Sequence, residues 1–402
     1  MNEENQQPVL FETIATQDGH QIGTMTLNDP KALNALSVDM CKLMVEQLEE
    51  WASDDSIVAV MLKGSSEKAF CAGGNIRKLY DSMVENPPLP NPYAVEFFQN
   101  EYSLYRQMHF YQKPLILWGN SIVMGGGMGL MAMCSHRIVT ETTRFAMPEI
   151  TIGLYPDATG SWFLAQMPAK VGLFLGLTGA NCNAKDAIFT SLAEYAVASS
   201  EYDKVIEALV NANWMAYFTD KHGADNVNLH DIASQALANI HHIEHLADSN
   251  LMTHFDTIQA VVNKGSVHDI DKALRDKKFA NVNGETDKWL SKAVDTYTHG
   301  CPVTAALTFE IFERASKLSL EQVLYMEMNA SLHCVNYPDF REGVRALLID
   351  KDKSPKWSKT LNECDARYIQ SHLASAFPDS EHPFEAWLGS DSLSAKLAKL
   401  AV

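Results

Sequence analysis

Two carboxylates in apolar loops are the side chains whose type and setting could do chemistry. Glu149 closes the segment Phe145-Ala146-Met147-Pro148-Glu149, and Asp157 follows in Gly153-Leu154-Tyr155-Pro156-Asp157. A carboxyl carried into apolar surroundings has its pKa raised, and paired carboxylates in such loops suit acid–base or nucleophilic work. A loop aspartate also serves as a turn or cap residue, and for Asp157 both readings stand at this point. Two glycine-bearing turns come next. Gly125-Gly126-Gly127-Met128-Gly129 lies between a strand pattern and a helix pattern, and Ala69-Phe70-Cys71-Ala72-Gly73-Gly74-Asn75-Ile76 follows a buried-strand pattern. Glycines at a helix start let a ligand approach backbone N–H groups at the positive end of the dipole; they equally permit a tight packing turn. Two such turns could aim two donors at one carbonyl oxygen, the geometry of an oxyanion hole.

Other motifs are excluded or weak. A dinucleotide fingerprint would need glycine where Leu130 stands, and neither a Walker A nor a G-x-S-x-G sequence occurs. His241-His242-Ile243-Glu244-His245 matches H-x-x-E-H on an expected helix. It lies far from the glycine turns, so a solvated His/Glu face is the better reading and no metal is expected.

The elements that must position these residues change character along the chain. Residues 9–14 and 23–27 predict a hairpin about Gln17-Asp18-Gly19-His20, since Asp-Gly is a strong turn signal. Ser37 can cap a helix with Met40, Leu43, Met44, Leu48 and Trp51 on one face. Residues 57–62 read as a buried parallel strand, and strands and helices alternate to about residue 140, an α/β pattern. From about residue 201 helical periodicity dominates, through 201–214, 229–246, 287–297, 304–316 and 320–332. We therefore expect an α/β region over 1–205 and a mainly helical region over 206–402.

Composition narrows the function classes. The 402 residues are 46% hydrophobic and 20% charged, enough for a sizeable core, and carry a net charge of −18. A non-specific nucleic-acid binder needs a basic face, so nucleic acid is not an expected partner. The apolar stretches are too short to span a membrane. Seven cysteines, an odd number without C-x-x-C spacing, argue against disulfides and zinc ribbons. Met1 to Gln7 carries Glu3 and Glu4 and reads as neither a signal nor a transit peptide; the expectation is a soluble, cytoplasmic chain.

At the glycine turns and carboxylates the sequence resembles the crotonase superfamily, the enoyl-CoA hydratase/isomerase family. Asn28-Asp29-Pro30-Lys31-Ala32-Leu33-Asn34-Ala35-Leu36, residues 69–76, 122–129 and 145–153 occur in the family's order and approximate spacing. The resemblance implies a spiral of ββα turns with an enlarged helical C-terminal region. It implies an acyl-CoA site whose thioester oxygen is held by the N–H groups of Gly74 and Gly126, with Lys31, Leu33 and Ala72 contacting the CoA moiety. Asn75 departs from the Asp usual there. Hydratases of the family carry a Glu where Gly129 stands, so addition of water across a double bond lacks a partner for Glu149. The pairing of Glu149 with Asp157 resembles the family's thioester hydrolases of β-hydroxyacyl-CoA. So do Phe97-Phe98-Gln99-Asn100-Glu101-Tyr102, where Glu101 would contact substrate, and Asp339-Phe340-Arg341-Glu342-Gly343-Val344-Arg345-Ala346. The segment Ala158-Thr159-Gly160-Ser161 is bulkier than the glycines usual after that aspartate. Coenzyme A would be part of the substrate, with no separate cofactor, and a homo-oligomer is possible. An enoyl-CoA isomerase and a non-catalytic CoA- or RNA-binding member are the competing expectations.

Overall fold

The computed structural model describes residues 7–219, 227–276, 287–378 and 381–388. The chain forms two compact units, one of residues 1–74, 103–145 and 182–253, the other of residues 75–102, 146–181 and 254–402.

In the first unit the Asp-Gly turn joins β1 (Val9–Ala15) to β2 (Gln21–Leu27) as an antiparallel hairpin. Gly19 has φ 92°, the left-handed conformation that favours glycine. Beyond β2 the sheet is parallel: β3 (Ile57–Gly64), β5 (Leu115–Gly119), β7 (His136–Val139) and β10 (Tyr195–Ala196) follow in the order β1-β2-β3-β5-β7-β10. The continuous apolar run of β3 is what a strand covered on both faces requires. Helix α1 (Val38–Ser53) is capped by Ser37, which accepts the Met40 N–H at 3.2 Å, and buries Met40, Met44, Leu48 and Trp51. Trp51 packs on bare backbone, since a Cβ at Gly23 would stand 2.8 Å from its ring. Ile22, Met61, Ile116, Trp118 and Ile138 of the sheet pack with Trp214 and Leu237 in one apolar cluster. A four-stranded sheet, β4 (Ala69–Cys71), β6 (Ile122–Met124), β8 (Arg144–Ala146) and β9 (Cys182–Asn183), carries the glycine turns.

The second unit is built mainly from helices. They include α2 (Ile76–Val84), the opening turns of α3 (Pro92–His109), and the helices Gly160–Ala165, Val171–Thr178, Lys288–His299, Pro302–Ala315 and Leu320–Asn336. Leu320–Asn336 starts at a Ser319/Gln322 capping box and is buried continuously from Val323 to Val335. Its polar residues must therefore find partners inside the protein. The Asn329 Oδ1 accepts the Ala376 N–H at 2.9 Å, and the His333 ring reaches the Ala374 carbonyl at 3.1 Å. Among the described residues no helix is long and apolar enough to cross a membrane.

The structure departs from the sequence reading in three places. The division expected near residue 205 is a change of secondary structure after β10; the chain passes between the two units at residues 74, 102, 145, 181 and 253. The helix expected over 229–246 ends at Ala238. Beyond it the chain pairs with β10: the His241 ring accepts the Ala196 N–H at 2.9 Å, and the His242 N–H donates to the Ala196 carbonyl at 2.9 Å. The H-x-x-E-H sequence is therefore not on a helix. Finally, two helices arise where none was expected, Gly160–Ala165 and Val171–Thr178, and the second gives no amphipathic signal because it is buried on every side.

Candidate active site

In the first unit β4 and β6 lie side by side in parallel, pairing Ala69 with Ile122 and Cys71 with Val123, and each runs into its glycine turn. The two turns abut so closely that a Cβ at Gly127 would fall 2.4 Å from the Cys71 carbonyl oxygen. Gly73, with φ 119°, lies against the other turn, its Cβ position 4.0 Å from the Gly126 nitrogen. Gly126 opens helix α4 (Gly126–Met133), where N–H groups have no intrahelical acceptor. The Tyr105 hydroxyl donates to the Gly126 carbonyl at 2.9 Å and so holds the peptide that follows Gly126.

The loop bearing Lys31 and Leu33 is tied to the same turn. The Asn34 amide donates to the carbonyls of Ala69 and Phe70, both at 3.1 Å. The Ala72 N–H donates to the Leu33 carbonyl at 3.1 Å, and the Leu36 N–H to the Gly73 carbonyl at 2.8 Å. Lys31 is exposed on the short turn Pro30–Ala32, whose first-turn N–H at Ala32 is capped by Asp29. Gly74, Gly126, Lys31, Leu33 and Ala72 thus belong to one arrangement of this unit. Gly129 is buried within α4 and offers no carboxylate.

The second unit holds the acids. Glu149 begins a single 3-10 turn, Glu149–Ile152, that Gly153 ends with φ 74°. It is 6% exposed, and its Oε2 is buried with no hydrogen-bond partner among the described residues. Asp157, also 6% exposed, accepts a hydrogen bond from the Tyr102 hydroxyl at 2.9 Å. Tyr102 meets the Ser331 hydroxyl at 3.0 Å, Ser331 meets Tyr155 at 2.9 Å, and Tyr155 donates to the Glu327 carbonyl at 2.9 Å. Glu101 is buried as well.

Crowding these acids in a dry region raises their pKa values. Burial first, and then the charge of Asp157, hold the Glu149 carboxyl well above its usual range, and Glu101 adds a smaller push. Burial lifts Asp157 to about 6, against the lowering effect of the Tyr102 hydrogen bond. The structure therefore brings Glu101, Glu149 and Asp157 into one cluster. It adds Glu327, which sequence reasoning missed and which burial and the Asp157 charge lift to about 8. The available signal was a lone Glu in Val323-Leu324-Tyr325-Met326-Glu327-Met328, a run with no polar face to receive it.

The C-terminal motif clamps the Glu149 turn. A Cβ at Gly153 would stand 2.4 Å from the Asp339 carbonyl oxygen, and one at Gly343 would stand 2.3 Å from the Ile152 carbonyl. Arg345 ties this segment down through Glu342 at 2.9 Å and through Asp350 and Asp352, each at 2.6 Å. Gly343→Ala forces backbone against backbone. The expected loss is about 1–3 kcal/mol, read as an earlier midpoint in urea; an unchanged midpoint contradicts this packing. The remaining motif makes no comparable cluster. His242 lies 2.9 Å from Glu201 and His245 3.8 Å from Glu141, and among the described residues no group of three or more His, Cys, Asp or Glu is placed to hold a metal.

A family profile described as Enoyl-CoA hydratase/isomerase matches residues 22–373. The chain is 36% identical over 371 residues to a protein of Danio rerio named 3-hydroxyisobutyryl-CoA hydrolase, mitochondrial, covering 91% of this chain and 89% of that one. It is 32% identical over 358 residues to a Homo sapiens protein of the same name, covering 88% and 86%. Among solved structures it is similar to a carnitinyl-CoA dehydratase from Mycobacterium thermoresistibile, with 32% identity, a TM-score of 0.78 and coverage of 94% and 99%. An enoyl-CoA hydratase from Rhodobacter sphaeroides is similar at 28% identity and a TM-score of 0.77, with coverage of 92% and 98%.

Proposed function

The chain belongs to the enoyl-CoA hydratase/isomerase family, and we propose that within it the chain hydrolyses 3-hydroxyisobutyryl-CoA to coenzyme A and the free hydroxy acid. Its α/β architecture with a helical C-terminal region is the crotonase-like fold of that family. Family membership alone does not choose a reaction. The observation that carries the choice is the buried pair Glu149 and Asp157, together with Gly129 where the family's hydratases carry a second Glu. The curated relatives named as 3-hydroxyisobutyryl-CoA hydrolases support the same choice.

Each residue then has a role. The N–H groups of Gly74 and Gly126 stabilise the oxyanion formed at the thioester carbonyl; losing one such donor typically costs about 2.7–4 kcal/mol of barrier. Glu149 acts by one of two routes. It attacks the carbonyl and expels the thiolate, leaving a mixed anhydride that water cleaves, or it takes a proton from a water that attacks directly. Label entering the Glu149 carboxylate during a single turnover in heavy-oxygen water reports the anhydride route. Asp157 positions the attacking water or the substrate 3-hydroxyl and passes a proton to the departing thiolate. Glu101 holds the substrate hydroxyl, and Lys31 with the backbone at Leu33 and Ala72 holds the CoA moiety. Coenzyme A is part of the substrate, and the reaction requires no separate cofactor.

The test is thiol release from 3-hydroxyisobutyryl-CoA beside 3-hydroxypropionyl-CoA and crotonyl-CoA. The proposal expects free thiol from the first, with the second as a further substrate. Loss of the crotonyl-CoA double bond, with no thiol released from any of the three, would assign the chain to the family's hydratase reaction instead. The substrate would place the chain in valine degradation. We keep the cytoplasm as the proposed compartment. Residues 1–6 of the segment behind that expectation lie outside the described residues, and the curated relatives are named as mitochondrial proteins. Microscopy of a tagged chain distinguishes the two compartments.

A further inference from the structure

Resting on that reading of Asp157, we infer that Glu327 is a positioning residue, whose two side-chain oxygens fix the strained turn that aims Asp157. Directly after Asp157 the chain turns through Ala158 and Thr159 at φ 54° and 66°. For a β-branched residue such as Thr159 the left-handed region is a genuine outlier. A conformation of this kind persists only where the surroundings over-determine it. The Thr159 hydroxyl is buried and has no hydrogen-bond partner among the described residues, so the side chain does not hold the turn. The backbone does. Glu327 Oε2 accepts the Thr159 N–H at 2.9 Å and Oε1 accepts the Ser161 N–H at 3.1 Å, while the Gly160 N–H closes onto the Asp157 carbonyl at 2.7 Å.

Glu327 is fully buried in the helix Leu320–Asn336, where a carboxyl is costly unless its hydrogen bonds are made. Both its oxygens are occupied by the one loop that carries Asp157. One helical turn further on, the same helix presents Ser331, which reaches the Tyr102 hydroxyl that donates to Asp157. The helix thus holds Asp157 through its backbone by Glu327 and through its carboxylate by Ser331 and Tyr102. Glu327 acts on the reaction only through this placement.

The test compares the steady-state kinetics of E327Q, E327A and the double variant E327A/T159G on 3-hydroxyisobutyryl-CoA. A misplacement near 1 Å can cost about a hundredfold in rate, so E327A should lose about that much in kcat with KM nearly unchanged. E327Q keeps the volume, turns an N–H₂ toward one of the two loop N–H groups, and should lose about tenfold on the same scale. Glycine adopts positive φ without steric cost, so T159G should return much of the lost kcat in the E327A background. Helix packing alone would not predict that rescue. A folded E327Q with wild-type kcat overturns the inference, as does a change confined to KM or a double variant no faster than E327A. If E327A fails to fold, E327Q and E327Q/T159G give the same comparison. A wild-type chain that releases no coenzyme A overturns the proposed function and this role together. An active wild type beside an unimpaired E327Q overturns this role alone.

Discussion

Glu149→Gln lowers thioester hydrolysis by about 10²–10⁴-fold, the range over which a positioned acid–base group contributes, and leaves the protein as stable as before or more so. The two halves of this expectation have one cause. Glutamine matches the shape of glutamate but can neither attack the carbonyl nor accept a proton from water. Glu149 Oε2 has no hydrogen-bond partner among the described residues, so removing the charge orphans no donor there. The sign of the stability change follows from linkage. Burial and Asp157 raise the carboxyl's pKa in the folded state above its unfolded value. Its stabilising contribution is therefore present at low pH and is lost as pH rises through the folded value. Above the unfolded value, folding must either bury the charge or bind a proton, and the amide relieves that cost. Parallel rate measurements and thermal melts check both halves; a variant that hydrolyses at the wild-type rate, or one that melts far earlier, contradicts the assignment.

Asp157→Asn has the second-largest effect, about a hundredfold in kcat as the loss of an acid–base group, and it also moves the pH profile in a direction fixed in advance. Asparagine keeps a carbonyl oxygen to accept the Tyr102 hydroxyl, so the hydrogen bond seen at 2.9 Å is preserved in kind. What disappears is a neighbouring carboxylate, the second-largest cause that raises Glu149. Glu149 must be ionised on either chemical route. In the wild type the rate therefore rises with pH through a midpoint well above the ordinary carboxylate range. In the variant the Asp157 charge is gone, Glu149 ionises more readily, and the acid limb of kcat/KM moves to lower pH. It does not reach the range of an exposed carboxylate, because burial is the larger cause and remains. An acid limb that stays in place, or moves upward, would show that Asp157 does not act on Glu149 electrostatically.

Much of this site could be read in the residues, for physical reasons that also mark where reading stops. Glu149 and Asp157 stand in short apolar loops, a setting that marks them for notice even though Asp157 could also have been a turn residue, and the structure buries both. The Asp18-Gly19 turn, the Ser37 cap and the apolar run at 57–62 are local signals, and β1, β2, α1 and β3 form where they point. Glu327 escaped because its partners, the N–H groups of Thr159 and Ser161, are remote in sequence and lie on backbone rather than side chains. The helix Val171–Thr178 escaped because complete burial erases amphipathic periodicity. The H-x-x-E-H sequence misled for the opposite reason: helical spacing continues past Ala238, but pairing with Ala196 takes the backbone out of the helix. Gly343 could be named only through resemblance, since its need for a bare backbone arises from Ile152, which the sequence places far away.

The most direct measurement is the fate of 3-hydroxyisobutyryl-CoA incubated with the purified chain in heavy-oxygen water. The substrate carries a 3-hydroxyl beside a thioester, so the family's two chemistries give different products from the same molecule. Hydrolysis yields one equivalent of free coenzyme A for each equivalent of 3-hydroxyisobutyrate, with one labelled oxygen in the acid after repeated turnovers; this is the result expected here. Loss of the 3-hydroxyl as water, giving the unsaturated thioester with coenzyme A still attached and no free thiol, would contradict the assignment of Glu149 and Asp157 to hydrolysis.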